Sequence, residues 1–416
     1  MNFIDFEIFY FGLFYIILYI LFYLFLLKRK NEIIIFLYLI PNIIRVIISL
    51  VLIESGMYIT EQGVFGYNLY ALHYYMLFAF SQIYVFYLFA HKIPIKKLPQ
   101  KNNIFFFYIF SFIFIVFLIY LNILNPYATR FNIFSASPVI EKIGNILNAF
   151  YGATFFYVLF TERRIKYRII YSILAAVVAL LARIEFGSIV IIIESFIITY
   201  VIFKPESIKD SHTFTINKGV MLQYAVVLIA IPSIIIYKYL HLGDIIFLIN
   251  RITLDAHAFW GSIAYNQTYG NVSIPLNIVF ETFLLWTPPH ASNINIGVGL
   301  LMNSIGDPKI IENFIEDNVR FSNCYPSVFI LHFGIFIALF LNILFSVIYV
   351  YFLKLKFHIL SKWNIFIYII FLKIFYPVDN FIMGGEYMTF NIKFFVYAIL
   401  FFIFLQMLKD YRRKNV

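Results

Sequence analysis

Residues Ser327–Phe352 read SVFILHFGIFIALFLNILFSVIYVYF. The run holds one His, one Asn and two Ser, and no side chain with a fixed charge. A helix needs about 20 apolar residues to cross a bilayer, and it satisfies its own backbone polar groups in lipid. The run therefore predicts a membrane-spanning helix. Directly before it, Leu240–Tyr325 is the only long stretch that is neither strongly apolar nor strongly basic. It is rich in aromatics, Asn, His, Gly and Pro, and it closes on Asn323-Cys324-Tyr325-Pro326-Ser327. The junction between this polar stretch and the spanning run organises the rest of the chain.

Working outward, hydrophobic residues make up 63% of the chain and charged residues 12%. A soluble domain has about 45–50% apolar and about 25% charged residues. The composition predicts an all-α, polytopic integral membrane protein. Ten further apolar runs are read as spans: Phe6–Leu27, Ile33–Ile53, Leu69–Ala90, Ile104–Leu124, Ile143–Thr161, Ile169–Ala182, Ile189–Phe203, Val220–Leu240, Asn364–Pro377 and Thr389–Leu408. With Ser327–Phe352 they make eleven. The organisation expected is a helical bundle in residues 1–240, a large outer loop with short surface helices in 241–325, and three spans with a cytoplasmic tail in 326–416. The first run has no basic leader and no small-residue cleavage site, so it reads as a retained helix rather than a signal peptide.

The net charge of +10 does not indicate a nucleic-acid partner. The basic residues sit in short gaps between apolar runs, which is an orientation signal. Acidic Asp5 and Glu7 precede the first run and Lys28-Arg29-Lys30 follow it, placing the N-terminus outside. Strict alternation then puts Lys92, Lys96, Lys97, Lys101, Arg163, Arg164, Lys166, Arg168, Lys204, Lys209, Lys218, Lys354, Lys356, Lys362, Lys409, Arg412, Arg413 and Lys414 inside as well. That is 21 of the 31 Lys and Arg. The C-terminus is thereby read as inside and Leu240–Tyr325 as outside. Val272–Trp286 is apolar but short, and is interrupted by Pro275 and Glu281. A span there would invert every later loop, so it is read as a helix lying on, or dipping into, the outer surface.

No phosphate-binding GxxxxGK[ST], no GxGxxG after a strand and no HExxH is present, which argues against nucleotide-driven or zinc-protease chemistry. The lone Cys324 forms no internal disulfide. The sharpest intramembrane candidate is Arg183, in the tight turn Leu180–Ser188 between two short runs. An ionisable residue within the membrane is a functional candidate by default; the plain alternative is a pair with Glu185 or another carboxylate. Arg251 and Arg320 bracket the outer stretch and have the forked donors that suit phosphate oxygens. They equally fit solvated pairs with Asp255 or Glu316. Glu281, Asp255, His257 and His290 are outer candidates for a general base, each also readable as an ordinary surface residue. His332 lies about a turn into the apolar run and fits a base or a satisfied core histidine. Arg45, Lys373 and Lys393 read as structural cations, with Asp379 or Glu386 as partners. Trp260, Tyr265, Tyr269 and Trp286 read as an interfacial belt or as stacking platforms for sugars.

The outer stretch followed by Asn323-Cys324-Tyr325-Pro326-Ser327-Val328-Phe329-Ile330-Leu331-His332-Phe333-Gly334-Ile335-Phe336 resembles bacterial O-antigen polymerases. In that family a Pro-Ser pair opens a helix with a Phe-Gly a turn or two on. Ile274-Pro275 through Leu284-Leu285-Trp286-Thr287-Pro288-Pro289 is similar to the family's Pro-rich segment, without the Arg before and the Lys after its Trp-Pro. Arg183 with Gly187 is similar to an Arg-containing outer turn shared with the O-antigen ligases. The resemblance implies a GT-C-like transferase of the bacterial inner membrane. It joins oligosaccharide repeat units carried on undecaprenyl pyrophosphate, at the periplasmic face, with inversion and with no metal or other cofactor. It implies the bilayer, the lipid-linked oligosaccharides and a chain-length regulator protein as partners, and no nucleic acid. On this reading Arg183 and Arg251 hold pyrophosphate, Arg320 holds phosphate or glycan, and one of Glu281, His290 or His332 is the base. Three rivals are a lipid-linked oligosaccharide flippase, an O-antigen ligase and a non-enzymatic membrane scaffold, the last disfavoured by an intramembrane Arg183. A flippase typically shows two similar halves with short loops, which this sequence does not.

Overall fold

The computed structural model describes residues 6–27, 33–57, 70–90, 104–126, 133–134, 137–162, 164–183, 191–192, 195, 233, 237, 245–287, 295–316, 321, 325–362 and 365–414. Among these the regular structure is helical, with no strand. Four helices are long and apolar enough to cross a membrane: Ala71–Phe89, Phe107–Leu124, Ser327–Leu360 and Ile365–Ile382. Tyr10–Tyr19 and Ile392–Met407 are shorter apolar helices. The expected runs Ile189–Phe203 and Val220–Leu240 lie almost wholly outside the described residues. By internal contacts the chain divides into two units. One comprises Met1–Ile93, Ile246–Lys356 and Ile370–Val416; the other comprises Pro94–Ile245 and Phe357–Ile369.

The second unit contains α4 (Ile104–Leu124), α5 (Pro138–Thr161) and α6 (Ile165–Leu181), each packed on the other two. Ser137 caps α5, its Oγ accepting from the Ile140 N–H at 3.2 Å, and Pro138 follows where a missing N–H is harmless. Phe107, buried on α4, meets Tyr171 of α6 edge-on at 4.9 Å and Tyr151 of α5 at 5.8 Å. Ala175, Ala179 and Ala182 are buried at helical spacing, and side chains this small let helix backbones approach closely. Two of the cations assigned to an inner loop belong to this fold. Arg168 is fully buried and donates to the Glu162 carbonyl at 3.2 Å, and Arg164 forms a two-point pair with the Glu162 carboxylate.

The first unit opens with α1 (Phe6–Leu27), α2 (Ile33–Leu52) and α3 (Ala71–Ala90), packed in sequence order. A π-helical turn, Ile53–Met57, extends α2. It carries Glu54, whose carboxylate accepts from the Ala71 N–H at 2.7 Å and so closes the exposed end of α3. The polar stretch forms α7 (Ile245–Tyr269), α8 (Leu276–Leu284), α9 (Gly297–Ile305) and α10 (Pro308–Glu316). Here the sequence expectation needs correcting, because α7 is neither short nor superficial. Its 25 residues extend about 37 Å, and every residue from Ala256 to Ala264 is buried. Phe259 packs edge-on against Tyr75 and Phe78 of α3, a helix long enough to span. Ala256, Ala258, Gly261 and Ser262 give α7 a thin, smooth surface. Hydropathy reads such a helix as polar, although small residues are what allow burial on all sides. α8, at nine residues or roughly 13 Å, is too short to span.

α11 (Ser327–Lys362) runs ten residues beyond the expected end at Phe352 and is broken at Gly334, whose φ of 76° and ψ of 174° are not helical. α12 (Ile365–Gly384) continues through Pro377, where the run was expected to stop. A proline inside a helix frees a carbonyl one turn back, and spanning helices tolerate it where neighbours supply donors. Thr389 donates to the Pro377 carbonyl itself at 3.2 Å. A short 3-10 turn, Tyr387–Thr389, leads into α13 (Ile392–Lys414). One core unites these elements: Ala258 of α7, Val298, Leu301 and Met302 of α9, Ile311 of α10, Val328 and Leu331 of α11, and Met388.

Candidate functional site

The start of α11 carries the densest group of unusual features. Pro326 opens the helix, its carbonyl accepting from Phe329 and Ile330. Tyr325 and Ser327 are buried there, and neither hydroxyl has a hydrogen-bond partner among the described residues. Buried polar groups are nearly always paired, so such a cluster marks a site rather than filler. Burial raises the Tyr325 hydroxyl far above the usual tyrosine range, so it remains a proton donor.

One turn further on, α11 is fastened to the segment between α7 and α8. The Val272 N–H donates to the Leu331 carbonyl at 2.9 Å. The Val272 carbonyl lies 2.9 Å from Nδ1 of His332. A carbonyl only accepts, so Nδ1 carries the proton and the neutral ring presents Nε2 as a lone-pair acceptor. Nε2 is buried and has no protein partner among the described residues. This is the tautomer a general base requires at Nε2.

The break at Gly334 lies two residues on. Its backbone angles belong to a region that is essentially glycine-only. A β-carbon there would lie 3.6 Å from Oδ1 of Asn271 and 3.7 Å from Oδ1 of Asn266. The two amides are bonded to each other, Asn266 Nδ2 donating to Asn271 Oδ1 at 2.6 Å. Two side-chain amides therefore border the break in α11. Tyr387 braces the other side of this layer by accepting from the Gly297 N–H at 2.9 Å. Burial, with nearby Glu386, pushes the Tyr387 hydroxyl up to about 12.

Glu281 lies on the exposed side of α8. Arg251 and Asp255 lie in α7, with side chains outside the described residues, and His290 and Arg320 fall wholly outside them. His257 is in the core, edge-on to Phe321 at 5.4 Å, and burial lowers it to about 3. Trp260 is also core, not belt, whereas Tyr269 and Trp286 are exposed. Among the described residues no three His, Cys, Asp or Glu side chains come together as metal ligands.

Arg183 belongs to the second unit. It ends the turn after α6 at φ 62°, a left-handed conformation uncommon outside glycine. Its Nε donates to Oδ1 of Asn122 at 2.8 Å, and its NH2 nitrogen donates to the Pro126 carbonyl at 3.0 Å. Asn122 is itself fixed, donating to the carbonyls of Leu118 and Leu181 at 2.8 and 2.9 Å. Among the described residues the guanidinium is held by two neutral oxygens; Glu185, the plain alternative partner, lies outside them. Sequence reading missed Asn122, although a lone amide in an apolar run signals that a partner exists.

A second group that sequence reading missed lies along α11. Asn342, Ser346, Tyr349 and Lys356 are buried on one helical face. Asn342 donates to the Phe78 carbonyl and to Ser81 Oγ of α3, at 3.1 and 2.9 Å. Tyr349 donates to the Asp379 carboxylate of α12 at 2.6 Å. The Lys356 ammonium, 4.4 Å above the Phe375 ring, acts on the same carboxylate. Asp379 is therefore served by Lys356, read earlier as a loop residue, while Lys373 is exposed.

Residues 291–398 match the model of DUF6418, a family of unknown function. No curated protein and no solved structure matches the chain. The matched stretch contains the buried hydroxyls at Tyr325 and Ser327, His332, Gly334 and the Tyr349–Asp379–Lys356 group. Val272, the amides of Asn266 and Asn271, and Arg183 lie before it.

Proposed function

We propose that the chain is a membrane glycosyltransferase that polymerises oligosaccharide repeat units carried on a polyprenyl pyrophosphate, as an O-antigen polymerase does. The reading includes eleven spans, the N-terminus outside, the C-terminus inside, and the polar stretch at the periplasmic face of a bacterial inner membrane. It draws first on the resemblance of the Tyr325–Phe336 segment to that family. The observation that carries it furthest is the setting of Arg183. A guanidinium held by two neutral oxygens keeps its full charge for an anionic ligand. Departing pyrophosphate develops negative charge, and fixed donors stabilise such charge most effectively. His332 Nε2 is the proposed base that takes the proton from the acceptor sugar hydroxyl as it attacks the anomeric carbon. The pyrophosphate leaves with the bonding electron pair.

The flippase alternative has one observation in its favour. Ionisable groups within spanning helices, such as buried Lys356 and half-buried Asp379, often mark transport routes. The glycolipid ladder of cells lacking the gene separates the two, with complementation by wild type or Arg183→Ala. Loss of long chains with a single repeat unit still on the lipid A core indicates a polymerase, and a well-expressed Arg183→Ala chain then fails to restore them. Loss of the single unit as well indicates a flippase or a ligase and ends the polymerase reading.

A further inference from the structure

The surface of α8 has three sides. Ile278, Val279, Thr282 and Phe283 face the protein; Ile278 and Val279 pack on the outer core, and Phe283 lies 5.8 Å from Phe395 of α13. Leu276, Phe280 and Leu284, spaced four apart, point away from it and are 72%, 63% and 51% exposed. Asn277 and Glu281, also four apart, are exposed along one flank of that apolar stripe. At 100° per residue the three sets occupy separate arcs of the helix. A helix on a water-facing surface has no reason to turn three large apolar side chains outward beside a polar edge.

The apolar stripe is continuous with a helix that has the character of a lipid-facing surface. Asn391, just before α13, donates to the Leu285 carbonyl at 3.0 Å. Trp286 packs edge-on against Tyr397 of α13 at 5.9 Å. α13 in turn exposes Ile399, Leu400, Phe402 and Ile403 along its apolar length. We propose that α8 is a bilayer-interface helix: Leu276, Phe280 and Leu284 rest among the acyl chains, and Asn277 and Glu281 mark the headgroup edge. The occupant of the exposed face is lipid. Trp286 sits at the rim, where an amphipathic ring is favoured. The inference rests on the reading that the neighbouring apolar helices lie in a membrane, and not on polymerase chemistry.

The test uses the full chain in vesicles of phosphatidylethanolamine and phosphatidylglycerol. Cys324→Ser removes the one native thiol. A nitroxide is then attached singly through Leu276→Cys, Phe280→Cys, Leu284→Cys, Asn277→Cys and Glu281→Cys, and its collisions with oxygen and with a water-soluble nickel chelate are measured. The expected result is a reversal of preference: oxygen at 276, 280 and 284, nickel at 277 and 281. Preference for nickel at all five places the helix in water and overturns the proposal. Shielding of 276, 280 and 284 from both reagents means that protein covers the face, and also overturns it. A second measurement needs no label. Acyl chains brominated near the headgroup quench tryptophan fluorescence, and Trp286→Phe must lose part of that quenching. Unchanged quenching counts against the proposal. Neither measurement reads polymer synthesis, so failure here is distinct from failure of the enzymatic reading.

Discussion

Gly334→Ala sets two costs against each other. If α11 keeps its break, alanine must adopt φ 76° and ψ 174°, at about 1–3 kcal/mol. The new methyl itself is accommodated, since its nearest neighbours are amide oxygens at 3.6 and 3.7 Å. If α11 straightens instead, alanine gains roughly 1 kcal/mol of helix propensity over glycine. A straight helix would take back the Leu331 carbonyl, which now accepts from the Val272 N–H, and would reorient His332 away from the Val272 carbonyl. Those two bonds are worth about 0.5–1.5 kcal/mol each. If the break is kept, the clamp is loosened by the roughly 1–3 kcal/mol of backbone strain, about 5- to 150-fold in an opening equilibrium; if α11 straightens, the clamp is lost. Hydrogen exchange read by mass spectrometry on the peptide containing Val272 should accelerate by at least that factor, while peptides of α4 and α5 stay unchanged. If the clamp positions His332, polymer synthesis should fall with it. Unaltered exchange at Val272 in a folded Gly334→Ala chain would falsify the argument, because the break would then not depend on glycine.

Three other outcomes are expected. His257 is held near 3 when folded and has an ordinary value of about 6.5 when unfolded. The unfolded chain therefore binds the extra proton, and stability present above about pH 6.5 is lost as pH falls toward 3; melting curves in detergent should show this slope, and His257→Leu should flatten it. Lys356→Met or Asp379→Asn alone should destabilise by about 3–5 kcal/mol by stranding a buried charge, and the double substitution by less than the sum; additive losses in thermal melting would mean that the two groups do not interact. Arg183→Gly relieves a left-handed backbone by about 1 kcal/mol, against roughly 1.5–3 kcal/mol for each of two charged hydrogen bonds. Its melting temperature should fall; loss of polymer from a chain that is still folded and well expressed would place Arg183 in the site, and polymer retained in that chain would assign it a structural role.

The helical character, the apolar helices long enough to span and the helix beginning at Ser327 were legible because apolar run length and punctuation by Pro are local signals. α7 was not legible. Its burial depends on Ala256, Ala258, Gly261 and Ser262 fitting closely against other helices, and hydropathy counts such residues as nearly neutral. The ends of α11 and α12 were misplaced for a related reason. A helix stops where its hydrogen bonding stops, not where its sequence turns polar, so α11 runs through Lys354 and Lys356 to Lys362. The orientation argument counted Arg168 and Lys356 as loop charges, yet both are buried in the fold. In their separate units, Arg183 and His332 were visible as a cation and an imidazole in apolar surroundings. Their partners were not, because Asn122 lies 61 residues from Arg183 and Val272 lies 60 residues from His332.

The partners explain why these two residues, rather than the other charged and titratable groups of the spans, are the better candidates for chemistry. Glu162 is neutralised by Arg164, and Asp379 has Lys356 and the Tyr349 hydroxyl. Such groups have their counter-charge within the protein, and a ligand would have to displace it. Arg183 and His332 are anchored differently. Each is tied through one side, by Asn122 and Pro126 or by the Val272 carbonyl, to atoms that fix direction without cancelling charge or basicity. A side chain oriented by neutral acceptors retains its capacity to bind an anion or accept a proton, and its geometry is set before substrate arrives. That preorganisation is what transition-state stabilisation requires. It also makes the neutral anchors informative targets, because substituting Asn122 should alter how Arg183 is aimed while leaving its charge in place.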